Sequence, residues 1–166
     1  MSKRKLKLPV KGVVPIDQMV GEDDEDTRLL REMASEASEF LGGFAWCEEI
    51  LDAYYGHGCG GIVAVFFYRI KPSRADVDKW LWVVVGDIPS AHLVTDWCKL
   101  PSQALEGYIE EMSEWVKLAK EGQSSEDVIP VDVAATPDNA ANLEGRLQFL
   151  QEKIVPVFRE AESGRD

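Results

Sequence analysis

The stretch Asp78–Trp97, DKWLWVVVGDIPSAHLVTDW, decides the fold. Trp80 to Val85 are consecutive apolar residues, aromatic and then β-branched, which is the pattern of a strand buried on both faces. Gly86-Asp87-Ile88-Pro89 interrupts it, with Gly86 free to take unusual dihedrals and Pro89 presetting φ for a turn. A short third strand is expected from roughly Ala91 to Thr95. Upstream, GIVAVFFYRI at 61–70 reads as another buried strand, joined to the first stretch by the polar KPSRADVD. Short connections favour antiparallel neighbours, so the three segments form a meander.

Helical spacing appears on either side. Leu30, Met33, Ala37, Phe40 and Leu41 follow the acidic run Glu22–Asp26, which suits the positive end of a helix. Gly42-Gly43 breaks that helix, and Phe44, Cys47, Ile50, Leu51 and Tyr54 mark a second one ending at Gly56. After the strands, Pro101 opens a helix with Leu105, Tyr108, Met112, Trp115 and Ala119 on one face. Thr136-Pro137 caps the last, whose stripe runs through Leu143, Leu147, Leu150, Ile154 and Phe158, with Pro156 expected to disturb its final turns. The resulting expectation is an α+β protein (ααβββαα): a three-stranded antiparallel meander with two helices before and two after. Near-continuous apolar strands imply that helices cover both faces, or that one face meets a partner. Residues 1–21 are expected to be a flexible basic arm and residues 22–162 a single α+β domain.

A chain of 166 residues with 45% hydrophobic and 29% charged side chains builds an ordinary globular core. Its longest apolar run, Ile62 to Tyr68, is far short of the about 20 residues that span a membrane. No secretory leader pattern follows the basic N-terminus, so a cytoplasmic location is expected. Cys47, Cys59 and Cys98 include no CxxC pair and read as reduced, mostly buried thiols. The net charge is −12, and setting aside the five basic residues of positions 1–11 leaves −17 on the remainder. Such a body repels phosphate backbones, which argues against nucleic acid and favours a basic protein as partner.

Candidate chemistry is sparse. The loop Gly56-His57-Gly58-Cys59-Gly60-Gly61 places a histidine and a thiol two residues apart among four glycines, so Cys59 and His57 are the candidate catalytic pair. The order expected around it, helix then loop then strand, is the reverse of phosphate-cradling loops, and a helix cap with a turn accounts for the glycines. His57, Cys59, His92, Cys98 and Asp87 match no zinc spacing, and no cofactor motif is present, so neither a metal nor a cofactor is expected. Ser90 and His92, close to Asp87 and Asp96, lack the G-x-S-x-G elbow of a hydrolase. Trp80 and Trp82 share one strand face and serve as core or as an aromatic anchor for a partner; with Asp87 and His92 they are the candidate binding residues.

The segments FAWCEEILDAYY, WLWVVVGDIPSAHLV, PSQALEGYIEEMSEWV and VIPVDVAATPDNAANLEGRLQFLQEKIVP, from Phe44 to Pro156, resemble a bacterial family of small cytoplasmic proteins built on a domain of unknown function. Where that family favours a capping Thr before the helix proline, this chain has Leu100. The resemblance implies a single domain and carries no activity to any residue. The leading expectation is therefore a non-catalytic, acidic, protein-binding domain of immunity type or regulatory type. The alternative is a small enzyme or ligand-binding protein using the Gly56–Gly61 loop. A homo-oligomer joined through the tryptophan-bearing strand is a third possibility.

Overall fold

The computed structural model describes residues 7–125 and 127–164. It is α+β, but the sheet has five antiparallel strands rather than three, in the order β1 (Val14–Pro15), β2 (Cys47–Cys59), β3 (Val63–Pro72), β4 (Trp80–Gly86) and β5 (Ile88–Leu93). A 3-10 turn (Ile16–Gln18) and one α-helix, α1 (Asp24–Gly42), lie between β1 and β2; after the sheet come α2 (Pro101–Lys120), α3 (Pro137–Phe149) and α4 (Val155–Ser163). The two-and-two arrangement of helices around a three-stranded meander is thus replaced by one α-helix before the long strands and the other α-helices after them.

The second helix expected from Phe44 to Gly56, and the start of the glycine loop expected after it, are instead the longest strand, Cys47–Cys59. Three bulges against β3 insert Glu48, Leu51 and Gly56 as extra residues. Each insertion delays the alternation by one position, so the side chains facing α1 fall at Cys47, Ile50, Ala53 and Tyr55. Those gaps of three, three and two imitate the spacing of a helix face. The first strand escapes notice for another reason: Val14 and Pro15 pair with Tyr55 and Tyr54 over only two residues, too short for any period.

The sheet is covered on both sides, which explains why β3 and β4 are apolar throughout. Residues Ala64, Phe66, Tyr68, Leu81, Val83 and Val85 pack with Leu30, Met33, Ala37 and Leu41 of α1. Their strand neighbours Val63, Val65, Phe67, Trp82 and Val84 pack beneath α2, α3 and α4. Val10 and Met19, within residues 1–21, are also buried.

Local chemistry sets the element ends. Asp23 caps α1 by accepting from the Asp26 amide at 2.8 Å. Asp26 in turn accepts from the amides of Glu22 (2.8 Å) and Gly60 (2.7 Å), fastening the helix start to the β2–β3 turn. The Thr136 hydroxyl caps α3 from the Asn139 amide. Leu150–Ile154 then widens into a π turn, with the Val155 amide donating to the Leu150 carbonyl, directly before Pro156. A proline has no amide to donate and its ring crowds the preceding turn, so the helix opens there. Gly86 joins β4 to β5 at φ +150°, and a Cβ at that position would stand 2.2 Å from the Ile62 carbonyl oxygen. The turn therefore demands glycine.

Candidate functional site

His57 and Cys59 belong to β2 itself, not to a loop after a helix, and the chain turns only at residues 60–62. Both side chains line an open groove of about 590 Å³ with Val20, Glu22, Asp26 and Glu160. The His57 ring meets Phe158 of α4 edge-on, with centroids 4.8 Å apart. Burial, and after it the carboxylates of Asp26 and Glu22, push the Cys59 thiol upward. A nucleophilic cysteine needs the opposite surroundings, electropositive and stabilising to thiolate.

His92 and Cys98 line a different groove, which shares no residue with the first. His92 is half-buried on the α1 side of β5, in contact with Phe44 (5.1 Å), Trp46 (5.0 Å) and Phe40 (6.3 Å). Burial lowers its pKa, so the ring sits there neutral. Cys98 is buried and its thiol donates to the Gln103 carbonyl at 3.4 Å. The four residues therefore divide between two grooves, and no group of His, Cys, Asp and Glu suited to a metal ion occurs among the described residues.

Trp80 and Trp82 point toward α2. Trp82 is fully buried, and Trp80 stacks flat on Phe67 at 5.3 Å. Asp87 is exposed; its amide donates to the Ile62 carbonyl, and its carboxylate faces Arg146 at 3.4 Å.

The aromatic residue that does face solvent is Trp97, 86% exposed, at the mouth of the second groove. This cleft of about 580 Å³ is lined by Leu93, Val94 and Ile129 on its apolar side and by Glu110 and Glu111 of α2 on its acidic side. Val94 is itself exposed, and neither glutamate has an ion-pair partner among the described residues. The negative field is visible on Cys98, whose thiol is pushed up by burial first and then by Glu111, with Glu106 and Glu110 adding to it against Lys99.

The loop that carries Trp97 is fastened from behind. The Trp82 indole N–H donates to the Cys98 carbonyl at 2.8 Å inside the core. The Lys99 amide donates to the Gln103 side chain at 2.8 Å, and the Lys99 carbonyl accepts from the Lys11 amide at 2.8 Å. An aromatic ring is thus held out into water by a pinned backbone instead of folding back onto the core. Sequence periodicity has no means of finding Trp97, because it lies in an aperiodic connection; the available signal was an isolated tryptophan between Asp96 and the helix-opening Pro101.

Compared with known proteins, the chain matches no family model, no curated protein and no solved structure. Among the described residues, no helix is long and apolar enough to cross a membrane.

Proposed function

We propose that this chain is a non-catalytic protein-binding domain, regulatory or immunity-type, whose Trp97 groove receives a basic segment of a partner protein. The observation that carries the reading is Trp97 itself, 86% exposed beside the acidic Glu110 and Glu111. Tryptophan is enriched among residues whose truncation costs an interface about 2 kcal/mol or more. A chain of net charge −12 draws a basic surface toward it and speeds encounter at low salt. Glu110 and Glu111, free of internal ion pairs among the described residues, are available to cations of the partner. Three unpaired cysteines suit a reducing cytoplasm as the place of action.

The alternative, an enzyme or ligand-binding protein at His57 and Cys59, has the groove of about 590 Å³ in its favour. The raised thiol of Cys59 weighs against nucleophilic chemistry there.

The test is capture from a lysate of the native host at low and high salt, using wild type, Trp97→Ala, and the Glu110→Lys/Glu111→Lys double variant. The proposal expects one basic protein held at low salt by wild type and lost from both variants. A partner retained equally by Trp97→Ala, or no salt-sensitive partner, contradicts it.

A further inference from the structure

A second surface, on the outer face of α3, has no part in the Trp97 groove. Asn142, Gly145, Arg146 and Phe149 recur at helical spacing and form an exposed stripe opposite the buried Ala140, Leu143 and Leu147. Phe149 is 46% exposed. Across Arg146 from it lies a groove of about 370 Å³ between the Gly86–Pro89 turn and the Asp132–Val133 segment, with Leu143 in its lining. Val133 is 51% exposed. A projecting ring and an apolar-walled hollow therefore stand side by side on one face.

We propose that this face is the contact between two copies of the chain, related by a two-fold axis passing near Gly145. In a two-fold contact the same patch serves both partners, so a knob and a hole on one patch fill each other reciprocally: Phe149 of each copy enters the groove of the other. The chain as a whole carries −12 and opposes self-association, and this face offers one reciprocal ion pair against that repulsion, because Arg146 lies along the groove with Asp87 and Asp132. Asp87 holds Arg146 at 3.4 Å within one copy, and Asp132 has no ion-pair partner among the described residues, leaving it for the Arg146 of the second copy.

Gly145 is the independent observation. A glycine inside a helix costs about 1 kcal/mol relative to alanine. Nothing within one copy asks for it, because a Cβ built there meets no atom within 4 Å. A glycine at the axis lets the two α3 helices approach closely, and that close approach supplies the reason the single chain lacks.

The experiment is sedimentation equilibrium of the full chain over a dilution series up to about 1 mM, a range that covers weak self-association. The expected result is a mass rising from 18.5 kDa toward twice that value. Phe149→Asp is expected to weaken the dimer by about 30-fold or more, the loss of a hot-spot side chain. Gly145→Leu gives the discriminating readout: it improves helix propensity, so the diluted chain melts no earlier than wild type, yet dimerisation is lost. Trp97→Ala should dimerise as wild type does. A chain that stays monomeric throughout, or a dimer indifferent to both Phe149→Asp and Gly145→Leu, overturns the proposal.

Discussion

Replacing Trp82 by phenylalanine tests how the core holds the candidate site in place. Trp82 is fully buried, and its indole N–H is the donor to the Cys98 carbonyl at 2.8 Å. Phenylalanine keeps an aromatic ring against Phe67 but removes that donor. A buried carbonyl left without its partner costs about 1–3 kcal/mol, and the lost part of the ring adds about 1–2 kcal/mol for the space it leaves. The expected loss is about 2–5 kcal/mol, a large share of the about 5–15 kcal/mol that holds a typical domain together. Trp115→Phe is the control, because Trp115 is also buried while its indole makes no hydrogen bond among the described residues. Urea unfolding of both variants separates the two contributions: Trp82→Phe should exceed Trp115→Phe by about 1–3 kcal/mol. Hydrogen exchange should also quicken at residues 94–99 in Trp82→Phe alone. Equal losses in the two variants, with unchanged exchange at 94–99, would refute the idea that the indole pins the Trp97 loop.

Gly86→Ala should disrupt the sheet, since its Cβ would stand 2.2 Å from the Ile62 oxygen at φ +150°. Gly122→Ala, at φ +68° with open space around it, should carry only backbone strain of about 1–2 kcal/mol, so thermal melting should rank the two far apart. His92 is held with a lowered pKa by burial, so the unfolded chain binds its proton more readily than the folded one. Its contribution to stability is therefore intact above the ordinary value of 6.5 and declines as the pH falls from there toward the folded value. His92→Phe should flatten that part of the stability profile between pH 7 and 5, and an unchanged profile would contradict the burial argument. Cys59 should react with iodoacetamide at neutral pH more slowly than free cysteine, because burial and nearby carboxylates raise its thiol. Faster labelling would restore the nucleophile reading.

The parts of the fold legible in sequence are those whose period survives. Trp80–Val85 and the strand before it advertise themselves because both sheet faces are covered and every position is apolar. The helix beginning at Pro101 and the capped helix after Thr136 are marked by ordinary termini signals. β2 is hidden because the extra residues Glu48, Leu51 and Gly56 shift its alternation into gaps of three. That error carried His57 and Cys59 with it, since they sit on a strand edge of a groove instead of in a catalytic loop. The tryptophans show a different limit. Spacing can assign Trp80 and Trp82 to one face, yet it cannot distinguish an indole stacked on Phe67 from one projecting into water, as Trp97 does.

The central claim, that Trp97 and its acidic rim are where a basic partner docks, is tested most directly by the footprint of that partner. Hydrogen exchange of the chain, alone and with the captured protein bound, reports protection residue by residue. The account predicts slowed exchange concentrated at residues 93–98 and 107–111, the two sides of the Trp97 groove. Protection centred instead on residues 57–61 and 157–161, beside His57 and Cys59, with the Trp97 loop unchanged, would contradict it.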